Sequence, residues 1–431
     1  MTPDLCLVCI LLIPLAATGL ALIHQGLGRS RSAAHAMLAT LCSLAIAAIV
    51  FVLIGSSWMG FSGGLAHTLH LAGKSIDWLG AEPLFATSLT SNLTHGLYPA
   101  FVLAFGIFAA GLASLIPISA GTDRWRLAAI CATSALFAAI IFPLFAHWIW
   151  SNGWLTQLTP LFGLPAFADL GGAAVLNVLG GFAALSVAWI LGPRQGKYAD
   201  RIATAIPGHN IVQVLFGCIL ALIGWIGLDC AAAILFYRVT YTQILLTVIN
   251  AVLSASAGCL AAVITTQLRY RKPDSSLSAN GWIAGLVAGS AGCGLLSPLA
   301  TIFIGLVAGA LVSLLVETLE LRLFIDDPGG AISVHLGAGL WGILAFGLFA
   351  PAPGPRSALI LAQLIGIATL LGVMFPLIHV LHRLLNKLIP FRVDADGDWQ
   401  GMDIRELGAG AYPEFVVHAD EFVPRSRTLD H

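Results

Sequence analysis

Two nine-residue stretches of the chain share one frame: "DLGGAAVLN" at 169–177 and "DPGGAISVH" at 327–335. Each opens on a carboxylate, runs through Gly-Gly-Ala and closes on a polar side chain, Asn177 in one copy and His335 in the other. The chemistry open to such residues is proton and hydrogen-bond traffic. Two facing imidazoles pass a proton between them because each ring holds a donor and an acceptor nitrogen. An amide hydrogen-bonds but takes up no proton at physiological pH. Asn177 therefore keeps polarity at its position while removing a relay.

The elements that hold these residues are set by composition. The chain has 431 residues, 58% hydrophobic and 10% charged, with a mean hydropathy of +0.92; soluble domains run near 25% charged. This is an integral membrane protein. Runs of about 20 apolar residues cross a ~30 Å hydrocarbon core, and eleven are expected, near 4–27, 34–54, 97–115, 126–146, 171–193, 209–228, 243–267, 280–296, 299–319, 331–350 and 357–384. Alternating strands of barrel type are absent, so the spans are helices. The N-terminal run lacks a basic leader and is too long for a signal peptide core, so it is expected to be a retained first helix. The eight Cys are scattered, mostly within spans, and read as small core residues; no metal site and no cofactor are indicated.

Basic residues collect in cytoplasmic loops. Loops after odd-numbered helices, with the segment following the eleventh, hold fourteen of the twenty Lys and Arg; the opposite loops hold Lys74, Arg238 and Arg356, and Arg405, Arg425 and Arg427 lie in the C-terminal tail. The N-terminus is thus expected outside and the C-terminus in the cytoplasm of an inner or plasma membrane. Residues 1–390 form the membrane domain and 391–431 the tail.

The two frames lie 158 residues apart and open helices 5 and 10. Five is odd, so helices 6–10 enter the membrane inverted relative to 1–5, a signature of transporters with a site near the midplane. Eight residues at 1.5 Å carry Asn177 and His335 about 12 Å along their helices, close to the half-thickness of roughly 15 Å. Gly180, Gly181, Gly337 and Gly339 let helices 5 and 10 approach. A packing histidine is the plainer alternative for His335, although intramembrane ionisable groups are usually functional, and interhelical glue is the alternative for Asn177; at matched positions they favour a pore-lining pair.

The motifs "PGHNIVQVLFGCILALIGWIGLD", "NGWIAGLVAGSAGCGLLSP", "IDDPGGAISVHLGAGLWG" and "GMDIRELGAGAY" resemble the ammonium transporter family (Amt/Mep/Rh) over nearly the whole chain, with "GLALIHQGLGR" like the end of its first helix. The resemblance implies a homotrimer in which each protomer has its own narrow path for ammonium or ammonia. By that resemblance Asp169 shapes the outer site and Trp150, in "HWIWSNGW", holds ammonium by cation–π attraction. A helix cap is the other reading of Asp169, and an interfacial aromatic belt that of Trp148, Trp150 and Trp154. Phe101 matches one of two stacked gating phenylalanines, with core filling its alternative. His335 matches the second of the family's twin histidines, and Asn177 stands where the first would be. Leu228 replaces the other gating Phe, Ala232 replaces a Ser that receives the ion, and Trp225 still matches.

A bare ion at the bilayer centre costs at least ~2.5–3.5 kcal/mol, which favours splitting ammonium into ammonia and a proton. Asn177 cuts the path for that proton. The departures favour an ammonium receptor reporting inward over a conducting transporter or channel, although family members with one altered histidine still conduct. An enzyme is not expected, nor a nucleic-acid partner. The tail holds nine of twenty-one acidic residues. A solvated terminus is its plainer reading; the resemblance implies protomer latching and contact with a PII-type regulator. Sensor relatives carry an output domain such as a histidine kinase after this tail, and either the gene ends at "VPRSRTLDH" or it continues past it.

Overall fold

The computed structural model describes residues 3–60, 64–71, 73–87, 96–200, 202–352 and 354–412. Among these, ten helices are long and apolar enough to cross a membrane: α1 (Pro3–Leu27), α2 (Ser30–Met59), α3 (Tyr98–Gly121), α4 (Leu127–Trp150), α5 (Ala173–Leu191), α6 (Ile211–Tyr237), α7 (Tyr241–Tyr270), α9 (Pro298–Leu321), α10 (Ile332–Phe349) and α11 (Arg356–Leu388). Between α7 and α9 lies α8 (Ser275–Ser290), whose 16 residues reach only about 24 Å. The sequence places this span at 280–296; the helix instead starts earlier, capped by Asp274 on the Leu277 N–H, and turns off after Ser290. Leu7, Leu11, Leu41, Ile219, Leu260 and Leu361 are exposed on the outer helix faces, as lipid-facing positions are.

Small residues set the packing. α1 lies along α6 with Gly19 so close that a Cβ would stand 2.5 Å from the Ala221 nitrogen. α5 meets α10 in the same way: a Cβ on Gly181 would meet the Leu336 nitrogen at 2.5 Å, and one on Gly339 the Val178 side chain at 2.7 Å. Gly180 and Gly337 face elsewhere, toward Ile116 of α3 and Leu315 of α9.

The two frames fold alike. The second glycine of each, Gly172 (φ +96°) and Gly330 (φ +73°), takes a left-handed backbone that other residues adopt only with strain. Each then enters a six-residue π-helical stretch, Ala173–Val178 in α5 and Ile332–Gly337 in α10. Asn177 and His335 sit inside these stretches, the kind of local widening that recurs at functional sites.

A hairpin, β1 (Ala66–Leu71) and β2 (Lys74–Gly80), departs from an entirely helical expectation. It packs over α4, where the Trp148 indole donates to the Trp78 carbonyl at 2.8 Å. At the opposite face, loop charges form a buried cluster. Arg194 donates to Asp326 at 2.9 and 3.0 Å and to Asp123 at 3.0 Å. Burial alone would raise the Asp326 carboxyl, but the Arg124 and Arg194 charges outweigh it and hold it at about 2.

Onto that face folds the first part of the C-terminal segment, through α12 (Ala395–Gln400) and a π turn, Asp403–Leu407. The Asp403 carboxylate accepts from the Ala34 and His35 backbones at the start of α2. Glu406 accepts from the Leu127 N–H opening α4 at 2.7 Å and pairs with the His35 ring at 3.1 Å. Burial would raise the Glu406 carboxyl, yet these partners and Arg126 keep it below its ordinary value. Residues 413–431, which complete the expected tail, lie outside the described residues.

Candidate functional site

Asp169 is fully buried at the head of α5. Its Oδ1 accepts from the N–H groups of Gly172 (3.1 Å) and Ala173 (2.8 Å), and its Oδ2 from Ala174 (2.7 Å) and Val175 (3.0 Å). Four orphan donors of a helix start are thereby satisfied by one carboxylate. The Asp169 carbonyl accepts from the Trp150 indole at 2.9 Å, and its own N–H donates to the Tyr237 hydroxyl at 2.9 Å. Asp169 thus fixes the orientation of Trp150 while its charge is spent on the α5 backbone.

Around Trp150 stands an aromatic box. Phe236 stacks on the indole at 4.8 Å and 3°; Phe105 and Phe142 meet it edge-on at 5.5 and 6.5 Å. Phe101 is half-buried in α3 and packs against the apolar core. The edge-on ring contact with Trp150 on this helix comes from Phe105, four residues on.

Deeper in the bundle, Asn177 and His335 meet as the spacing requires. The His335 Nδ1 lies 2.8 Å from the Asn177 Oδ1, and the Asn177 Nδ2 donates to the Gly172 carbonyl at 3.1 Å. An amide oxygen only accepts, so the imidazole carries its proton on Nδ1 and presents Nε2 as its acceptor. The Trp225 ring lies 6.5 Å from His335 at 28°, and its indole donates to Ser290 Oγ at 2.9 Å. Leu228 and Ala232 are fully buried on the same helix.

Sequence reasoning passed over three residues of this region. Asp229, in mid-α6, accepts from Ser290 Oγ through Oδ2 at 3.2 Å, and its Oδ1 has no partner among the described residues. Phe236, near the end of α6, supplies the ring stacked on Trp150. Trp225, Asp229, Ala232 and Phe236 recur at i, i+4, i+7 and i+11, the spacing of one helix face, and that was the available signal. His24, near the end of α1, is buried with Nδ1 unpartnered among the described residues and stands within electrostatic reach of His335.

A bundle of long apolar helices that buries a polar pair, Asn177 and His335, defines a multi-pass membrane protein of transporter type. The sequence profile of the Ammonium Transporter Family matches residues 5–412, and the chain belongs to that family. It is 31% identical to ammonium transporter Amt2 of Archaeoglobus fulgidus over 96% of this chain and 89% of that one. It is 28% identical to the ammonium transporter of Bacillus subtilis, over 94% and 97%. Among solved structures it resembles a "Sensor Amt Protein" with a TM-score of 0.83 and 26% identity, covering 93% of this chain and 97% of that one. Candida albicans Mep2, at a TM-score of 0.74 and 20% identity over 91% and 86%, shares the fold.

Proposed function

We propose that this chain is an ammonium receptor that reports occupancy to the cytoplasm and conducts poorly. On this reading it is a homotrimer of eleven-span protomers, the two five-helix halves inverted, with the N-terminus outside, the 391–431 segment in the cytoplasm, and that segment offered to a PII-type regulator or an output domain such as a histidine kinase. The observation that carries the reading is the Asn177–His335 bond. It holds one titratable ring against a group that cannot accept a proton, so a proton on His335 cannot pass to its bonded partner. The Trp150–Phe236 stack adds to it, since the ring face that would receive the ion is covered until Phe236 moves. Ammonium would enter beside Trp150 and Phe105 once Phe236 swings aside, held by ring quadrupoles and positioned by Asp169 from behind.

The test is the current of proteoliposomes on a solid-supported membrane after an ammonium jump. A brief binding transient without steady current is expected for the wild type, and a sustained current for Asn177→His combined with Leu228→Phe. A sustained wild-type current scaling with the gradient would return the chain to the transporters. One observation favours that second reading: His24 places another buried imidazole near His335, and if it relays, His24→Ala abolishes the current.

A further inference from the structure

The two copies of the Asp-x-Gly-Gly-Ala frame differ in what their carboxylates do. Asp169 has both oxygens spent on four backbone N–H groups. In Asp327, Oδ2 accepts from Ile332 N–H at 2.7 Å, while Oδ1 has no partner among the described residues. Asp327 lines a cavity of about 490 Å³ on the face that carries the C-terminal segment.

Ser333, two residues before His335, lines the same cavity; it is 1% exposed and its Oγ also lacks a partner among the described residues. Asn280 of α8, 5% exposed, completes the lining here, its amide set against Gly330 where no Cβ fits. The basic groups of the wall are already matched: Arg194 is held by Asp326 and Asp123, and Lys197 by Glu320. A negative oxygen, a hydroxyl and an amide carbonyl remain, all able to accept N–H.

We propose that Asp327, Ser333 and Asn280 form an inner site for a small cation bearing N–H donors, ammonium or methylammonium, distinct from the Trp150 box. It deepens the receptor reading and rests on it, by giving the chain a second position that senses the ion from the cytoplasmic side. A carboxylate oxygen buried without a hydrogen-bond partner is costly; a bound cation with N–H groups removes that cost.

Calorimetric titration of the purified full chain with ammonium chloride at constant ionic strength tests it, using wild type, Trp150→Leu, Ser333→Ala and the double variant. Two classes of binding are expected in the wild type. One survives Trp150→Leu, and Ser333→Ala weakens that class by about tenfold, the loss of one hydrogen bond to a charged group. Binding wholly lost in Trp150→Leu, with its unfolding midpoint kept, overturns the inner site and leaves the receptor reading standing. Binding unchanged by Trp150→Leu but weakened by Ser333→Ala keeps the inner site and removes the outer one. No binding in the wild type overturns both. Should Trp150→Leu fail to fold, Ser333→Ala alone decides: the weaker or absent second class supports the site, an unaltered isotherm sinks it. Potassium chloride giving the same isotherm would overturn the N–H assignment.

Discussion

Asp169 and Asp327 open the same frame, in helices that begin with the same left-handed glycine and the same π-helical widening, yet one carboxylate is consumed by its backbone and the other is half free. The difference lies in the residues just beyond each Asp. Beyond Asp169, the segment Leu170–Gly171 pairs with the end of α8, through Leu170 N–H to Ala291 and Gly171 N–H to Ser290, which pulls the carboxylate over the α5 start. Beyond Asp327 comes Pro328, which has no N–H to give, and the carboxylate stays beside a cavity. One sequence motif thus serves as a rivet at one mouth and as a ligand at the other. The terminal residues divide in parallel, Asn177 fixed to the Gly172 carbonyl and His335 bonded through Nδ1 to Asn177.

The largest effect should separate these two carboxylates. Asp169→Ala leaves four buried N–H groups without a partner and is expected to cost about 4 kcal/mol, seen as a large fall in the unfolding midpoint of the detergent-solubilised protein. Asp327→Ala removes fewer bonds and should cost less than half as much; equal losses would break the comparison.

Next in size is the aromatic box. Trp150→Leu should weaken ammonium binding at the outer site about tenfold, within the range of a desolvated cation–π contact. Phe236→Leu should move it the other way, a few-fold tighter, by uncovering the indole face. Calorimetry reads both, and two losses in place of opposite signs would show that Phe236 is itself a ligand.

A pH effect sharpens the view of the inner mouth. The folded-state Asp326 carboxyl lies at about 2, below its ordinary ~3.9. The cluster therefore contributes its full stability above about pH 4 and loses it as pH falls toward 2. Unfolding midpoints measured from pH 6 downward should drop in that window for the wild type, and much less for Asp326→Asn. The smallest expected change is in the C-terminal segment. Glu406→Gln weakens its hold on His35, Arg126 and the start of α4 by about 1 kcal/mol, and limited proteolysis after residue 400 should quicken a few-fold.

Hydropathy located the spans, and the repeated frame located Asn177 and His335, because both signals are local and a facing pair needs only helix rise to place it. Trp150 was legible through resemblance. Phe236 was not, since its stack on Trp150 is visible only once α6 is set against α4. Asp229 was legible in principle as a carboxylate inside an apolar span. The hairpin Ala66–Gly80 escaped because it lies between spans, where hydropathy is silent. The bounds of α8 lie five or six residues earlier than 280–296, because hydropathy does not see the Asp274 cap that starts the helix or the turn after Ser290.

The π-helical stretches at the heads of α5 and α10 have a mechanical consequence. Each closes its hydrogen bonds over one residue more than an α-helix, so it sets the phase of everything downstream. Deleting a single residue within Ala173–Val178 or Ile332–Gly337 would rewind that turn and swing the rest of the helix by about 100°. Gly181 and Gly339 would rotate out of the α5–α10 seam and bulkier neighbours would enter it, so the two helices could no longer lie together. In those two stretches length matters as well as side-chain identity.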